Sequence, residues 1–245
     1  MNYYRCPGCG TIQSEEPYWL EQAYATPINR SDVGYISRNI RLRDASRLLI
    51  DLQFNPKGRF LDYGAGYGMF VRMMRDAGYD FWGSDAYCSS LFAPDFTVDG
   101  RPPERYELIT AFEVFEHLPK PAEVIRPIFD MTDSLFFSTE LIPDRSPQPG
   151  EWDYYGLDHG QHITFYTRHG LALLAESVGA RYYNLGRDLH LISRRALAPF
   201  KALLCSKTKI CKLYNLLPVK SSKLLSDHKA VIQKVLHQLR QRQAE

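Results

Sequence analysis

Apolar residues along the chain alternate between two spacings, and the alternation marks out a series of helices and strands. Helical spacing comes first, around Ser37–Leu52, where Ile40, Leu42, Ala45, Leu48, Leu49 and Leu52 recur. Arg59–Tyr63 is a short buried strand running into a glycine turn. Tyr67–Ala77 is a helix with Phe70, Val71 and Met74 on one side and Gly78 as its stop. Further strands are predicted at Asp80–Asp85, Asp95–Asp99, Tyr106–Phe112, Ser134–Thr139, Arg181–Leu185 and Leu189–Ser193, with helices at Pro119–Met131 and Leu171–Val178. Strands alternating with helices imply an α/β fold, a mostly parallel sheet with helices on both faces. Three zones follow: an N-terminal extension with a lead-in helix (1–57), the α/β domain (58–196) and a basic amphipathic helical tail (197–245).

Composition narrows the picture only a little. A chain of 245 residues with 44% hydrophobic residues and a formal charge of +2 is long enough for one large α/β domain and ordinary for a globular protein. No apolar run approaches the ~20 residues of a membrane-spanning helix. The start, Met1–Cys6, lacks the apolar stretch of a secretory signal, so a cytoplasmic location is expected. Five cysteines at uneven spacing do not form a disulfide framework. Beyond Pro199 lysine and arginine outnumber acids, interleaved with Leu203, Leu204, Ile210, Leu213, Leu216 and Leu217 and then Val231, Ile232, Val235, Leu236 and Leu239. Such a tail suits packing on the domain, self-association through residues 199–240, or peripheral contact with the inner face of an anionic membrane. Nucleic acid is not expected as a partner, because Tyr214 is the one aromatic after Phe200 and stacking capacity is small.

The chemistry gathers at the first strand end. Asp62-Tyr63-Gly64-Ala65-Gly66-Tyr67-Gly68 lies between that strand and its helix, where glycines let backbone approach a ligand closely. Position 69 is Met, so the spacing is not the Gly-x-Gly-x-x-Gly of dinucleotide binding. An acid two residues before the first glycine suits an ammonium group better than a pyrophosphate. Asp85, about twenty residues on at the end of the next strand, is placed to accept ribose hydroxyls.

These segments resemble class I S-adenosylmethionine-dependent methyltransferases. Leu61–Gly68 is similar to their first motif, Gly83-Ser84-Asp85 to their ribose-binding acid, and Thr110–Pro119 to their fourth-strand motif. Gly160-Gln161-His162-Ile163-Thr164-Phe165-Tyr166-Thr167 resembles a segment of a bacterial branch that includes sugar and other small-molecule methyltransferases. The resemblance covers roughly residues 55 to 195 and implies a Rossmann-like, seven-stranded sheet with its last strand antiparallel. It implies S-adenosylmethionine as cofactor, held by Asp62, Tyr63, Gly64, Ala65, Gly66, Gly68, Asp85, Ala86, Asp99, Phe112 and Glu113. Tyr63 replaces a more usual small residue. The acceptor it implies is a hydroxyl of a sugar, glycan precursor or related small molecule; a quinone-type lipid, a nitrogen acceptor, and an inactive cofactor-binding assembly domain are the alternatives.

An alcohol acceptor needs a base, and histidine suits that task near neutral pH. His162 is the first candidate and His159 the second, both in a loop following the fifth strand; holding that loop by hydrogen bonds is their structural alternative. Glu113 faces the methyl group in this reading. Glu113, Glu116 and His117 form a Glu-x-x-Glu-His pattern that resembles a metal-associated motif of ubiquinone-type O-methyltransferases. Capping of the following helix is the favoured reading of these residues, and no metal is expected. Trp152, Tyr154, Tyr155 and His117 are the candidate substrate contacts, with Tyr166 assigned to packing. Cys6-Pro7-Gly8-Cys9 is a single Cys-x-x-Cys knuckle, resembling the second knuckle of a zinc module that precedes the catalytic domain in some sugar methyltransferases. Structural zinc usually takes four ligands, so two free thiols in a turn is the alternative.

Overall fold

The computed structural model describes residues 1–23, 32–98, 104–145, 147–218 and 221–244. The chain starts with a hairpin of β1 (Tyr3–Arg5) and β2 (Ile12–Ser14), followed by α1 (Leu20–Ala23) and the long α2 (Tyr35–Gln53). The predicted alternation then appears as β3 (Arg59–Tyr63), α3 (Met69–Asp76), β4 (Asp80–Ser84), β5 (Leu108–Ala111), α4 (Pro121–Met131) and β6 (Ser134–Ser138). It continues with β7 (Thr164–Phe165), α5 (Arg168–Glu176), β8 (Arg181–Asn184) and β9 (Leu189–Ser193). Three helices close the chain: α6 (Pro199–Cys205), α7 (Thr208–Tyr214) and α8 (Leu224–Ala244).

The main sheet has six strands in the order β4-β3-β5-β6-β9-β8. Pairing is parallel from β4 through β6, and β9 runs antiparallel to both β6 and β8. The strands read as continuous apolar runs because helices cover both faces, and successive side chains enter opposite cores. Phe60, Phe81, Leu108, Phe136 and Leu191 face α2, α3, α6 and α7. Leu61, Ile109, Leu135, Phe137 and Ile192 face α4 and α5.

Among the described residues the sheet has six strands where seven were expected. Of the segment expected at Asp95–Asp99, Thr97 makes one parallel bridge to Gly83. The reason is local: the Phe96 N–H turns back to the Ala93 carbonyl at 3.0 Å, so the chain enters late and pairs only around Gly83. Asp99 lies outside the described residues.

The sequence pattern had not shown the second, three-stranded sheet β1-β2-β7, in which β2 pairs antiparallel with β7. It ties the first fourteen residues to the loop after β6. Ile12, Tyr155 and Phe165 form its small core, with Tyr3 and Trp152 packed against them. On α2, Ile40 is exposed rather than buried; the helix instead buries Leu42, Leu48, Leu49 and Ile50.

The tail is not one appendage. Cys205 and Cys211 belong to the main core, and Tyr214 donates to Asp51 Oδ2 of α2 at 2.5 Å while Arg47 donates to Asn215 at 2.6 Å. Helix α8 is tied to the domain by Asp227, which takes paired hydrogen bonds at 2.8 Å from the buried Arg75 and another at 2.9 Å from Arg72, and by Lys234, which pairs with Asp95. Leu225, Ile232, Val235, Leu236 and Leu239 along α8 are exposed. Among the described residues no helix is long and apolar enough to cross a membrane.

Removing Asp227 takes two hydrogen bonds and one of two acidic partners from the buried Arg75, leaving Asp80 at 2.8 Å. Asp227→Ala is therefore expected to lower unfolding free energy by about 3 kcal/mol in urea titrations. Hydrogen exchange should show the amides of α8 losing protection first.

Candidate active site

The carboxyl ends of β3, β4 and β5 open into a cavity of about 1100 Å³. That is at the upper limit of small-molecule sites, large enough for a cofactor with a second molecule beside it. Its floor begins with the turn after β3. Gly64, Gly66 and Gly68 have φ of +72°, +53° and +79°, a region that strains any residue with a Cβ. A Cβ on Gly64 would meet Val114 Cγ2 at 2.5 Å. The turn is anchored on β4: the N–H groups of Gly64 and Ala65 donate to the Ser84 carbonyl at 2.8 and 3.1 Å.

Asp85 completes that anchoring. Its Oδ2 accepts from the Gly66 N–H at 2.8 Å, and its Oδ1 accepts from the N–H groups of Tyr87 and Cys88, each at 2.8 Å. A carboxylate has about four acceptor positions, so little capacity is left for an incoming hydroxyl unless the Gly66 bond yields. Asp62 is buried and accepts from the Thr110 hydroxyl at 2.6 Å. Burial pushes its carboxyl up to about 7, against the lowering effect of Thr110 and with a further push from Asp85.

Of the residues expected to contact the cofactor, Asp62, Tyr63, Gly64, Ala65, Gly66, Asp85, Ala86, Phe112 and Glu113 line this cavity. Gly68 stands outside it, as the residue that turns the chain into α3; a Cβ there would meet Ser90 Oγ at 2.3 Å. Helix α2 contributes residues that sequence reading missed. Tyr35, Arg38 and Arg41 line the wall opposite the glycine turn. Their signal was present but faint: polar residues spaced three apart in the first turns of a helix whose later turns are buried.

Glu113 is the one non-glycine described residue with positive φ, at 56°. Such a conformation costs on the order of 1–2 kcal/mol and needs outside support. Ser138 supplies it, accepting from the Glu113 N–H at 2.8 Å and donating to Oε1 at 2.6 Å, and Arg38 lies 3.4 Å from Oε2. The strained residue re-aims the chain so that Glu116, His117 and the loop 154–162 meet.

There His162 and His117 stand edge to face at 4.9 Å between ring centres, and His159 stacks edge to face on His162 at 5.0 Å. His162 Nδ1 donates to the Tyr154 carbonyl at 2.6 Å and His117 Nδ1 to the Gln161 carbonyl at 3.0 Å. Burial depresses both imidazoles, His162 to about 4 and His117 to about 3, so both are neutral at neutral pH. His159 Nδ1 instead accepts from the Gln161 N–H at 3.1 Å. Glu116 lies beside them, wholly buried, its carboxylate oxygens without a hydrogen bond of good geometry, though the Tyr154 hydroxyl and a backbone N–H act on it. Burial, with the nearby Glu113 charge, pushes it up to about 8.

Tyr154, His117, His159 and His162 face the cavity. Trp152 and Tyr155 do not, which corrects their assignment as a substrate platform. Tyr155 is buried against Tyr3 and Phe165 at 5.1 and 4.6 Å, and Trp152 packs on Tyr154, Tyr155 and Phe165. The N-terminal hairpin, absent from the expectation, is what covers them. Cys6 and Cys9 sit in the β1–β2 turn, Cys6 exposed.

A protein-family profile described as a methyltransferase domain matches residues 37–185. Solved structures to which the chain is similar include magnesium protoporphyrin IX methyltransferase from Synechocystis PCC 6803 with bound SAH (14% identity, 72% of this chain and 93% of that one, TM-score 0.48). Human N-acetylserotonin methyltransferase in complex with SAM is another (14% identity, 73% and 66% covered, TM-score 0.48). Mitomycin 7-O-methyltransferase is a third (14% identity, 73% and 60% covered, TM-score 0.49). A search of curated proteins finds no match.

The raised Asp62 carboxyl makes stability depend on pH. Its folded value of about 7 exceeds the ordinary carboxylate value. Between roughly pH 4 and 7 the folded chain therefore holds a proton that the unfolded chain has lost, and stability falls as pH rises through that window. Each unit is worth about 1.4 kcal/mol. Asp62→Asn should flatten this slope, so that urea unfolding at pH 8 favours the variant relative to the parent more than at pH 5.

Proposed function

Because the chain belongs to the methyltransferase-domain family and takes its methyl group from S-adenosylmethionine, we propose that it methylates a hydroxyl of a small ring-containing acceptor, a sugar or glycan precursor. The observation that supports this most is the convergence of His162, His117 and Glu116, the two histidines lining the same cavity as the glycine turn. The donor, when bound, supplies an already activated methyl carbon, so the protein's task is positioning and proton removal.

Asp62 in its ionised form holds the donor's ammonium group, Arg38 its carboxylate, and Asp85 the ribose. Ala86 and Phe112 border the adenine. The acceptor occupies the opposite half of the cavity under Tyr154, with its hydroxyl toward the Glu116–His117–His162 cluster, and His159 holds the loop by its bond from Gln161. The hydroxyl proton is lost at that cluster. His162 presents a neutral Nε2 lone pair because its Nδ1–H is committed to the Tyr154 carbonyl. Glu113, strained and braced by Ser138, sets the angle of this wall.

Two outcomes test the reading. His162→Ala is expected to lower turnover with S-adenosylmethionine and a panel of hydroxylated acceptors by roughly 100- to 10,000-fold. Calorimetric affinity for S-adenosylhomocysteine should stay within a few-fold; unchanged turnover would remove His162 from the chemistry. Because the ammonium needs Asp62 ionised, affinity for S-adenosylhomocysteine should weaken as pH drops below about 7. Asp62→Asn should bind weakly with that pH dependence abolished.

A further inference from the structure

We propose that the C-terminal helices α6, α7 and α8 dock the chain on a bilayer surface that carries anionic lipid headgroups. From Pro199 onward the sequence holds ten lysines and arginines against two acids, Asp227 and Glu245. On α8 Asp227 is the one acid, and it is buried in its pairing with Arg75 and Arg72. The charge that α8 turns to solvent is therefore positive, with Lys229 and Arg240 exposed.

The exposed apolar side chains follow a helical order. At 3.6 residues per turn, Leu225, Ile232, Val235, Leu236 and Leu239 fall within an arc of about 100° on α8. Asp227 and Lys234 fall on the other side, where they reach Arg75 and Asp95. Lys229 and Arg240 border one edge of the arc. Helices α6 and α7 repeat the arrangement. Cys205 and Cys211 enter the core, while Phe200, Leu203, Leu213 and Leu216 are each more than half exposed. Lys207, Lys209 and Lys212, also exposed, lie between them in the chain. The two parts share one layer. Tyr214 at the end of α7 and Tyr79 after α3 both donate to Asp51, and the Lys223 N–H just before α8 donates to the Arg75 carbonyl at 3.1 Å. The end of α7 and the start of α8 thus meet the same layer, that of α2 and α3.

Apolar side chains this numerous and this exposed mark an interaction surface, and the charge selects its occupant. A helix with an apolar stripe and a cationic border lies in the plane of an anionic interface, its leucines in the acyl boundary and its lysines at the headgroups. A second copy of this chain would set positive tail against positive tail, with no free acid on α8 to pair with them. Nucleic acid would meet leucines rather than stacking rings, since the Tyr214 hydroxyl is committed to Asp51. Among the described residues none of the tail lines the cavity, so the docking surface is independent of the reaction proposed above.

The test is co-sedimentation of the full chain with vesicles of phosphatidylcholine, alone or mixed with phosphatidylglycerol, at physiological salt. Binding is expected to be at least ~10-fold tighter to the anionic vesicles and to weaken as salt rises. Ile232→Asn/Leu236→Asn should weaken it by at least ~10-fold, because both side chains leave water on docking. Leu213→Asn/Leu216→Asn on α7 serves as a second variant if the first does not fold. Leu236→Trp should shift its emission to the blue on anionic vesicles. Equal partition onto both vesicle types, no binding, or binding unaffected by the asparagine substitutions in folded variants would overturn the proposal. So would a dimer that the same substitutions dissolve, which assigns the stripe to a second copy. Retention of a duplex oligonucleotide with no vesicle binding would assign the charge to nucleic acid and overturn it as well.

Discussion

The turn after β3 holds its shape because its amide groups are fastened to the neighbouring strand. Gly64 and Ala65 donate to the carbonyl of Ser84, and Gly66 donates to the carboxylate of Asp85. Parallel pairing of β3 with β4 brings Tyr63 level with Ser84, so the anchor is a consequence of sheet register. The left-handed glycines pass through this gap because they have no Cβ, and Val114 fills the space left above Gly64. The cavity, the burial of Asp62 and the entry of α3 all depend on that arrangement. Asp85 therefore fixes the loop with three of its roughly four acceptor positions and still borders the cavity.

Opposite the turn, the chain accepts strain and a buried carboxyl group that burial holds protonated near neutral pH. Glu113 adopts a conformation normal for glycine and is braced by Ser138 and Arg38. Three residues later Glu116 is buried beside His117 and His162. Such local departures from good packing are common where structure serves chemistry. Here both departures occur within one short segment at the end of β5.

Parts far apart in the chain cover this wall. Residues 1–14 reach the catalytic domain through β2 and β7 and wrap the aromatic group of Tyr3, Trp152, Tyr155 and Phe165. The hairpin fixes the loop from which Tyr154, His159 and His162 extend. Helices α6 and α7 support α2 from behind, and α2 carries Tyr35, Arg38 and Arg41 to the cavity. The segments that looked like an extension and a tail are thus buttresses of the site, and only α8 projects from the body.

Local pattern was enough for the α/β alternation, most element positions, the glycine turn and its two acids. Each of these is encoded by residues adjacent in the chain: periodicity of apolar side chains, glycine where φ turns positive, an acid at a strand end. Pattern also marked His162 and His117, because loop histidines after parallel strands stand out. What it could not supply was company. Whether Trp152 meets a ligand or Tyr155 depended on a hairpin whose strands are three residues long, too short to show alternation. Whether Asp95–Asp99 forms a strand depended on a turn at Ala93–Phe96. The trio of Glu116, His117 and His162 joins residues some forty-five positions apart, and the burial of the Glu116 carboxyl group arises only when the core closes over it. Burial and convergence are properties of packing, and only the tertiary structure decided them.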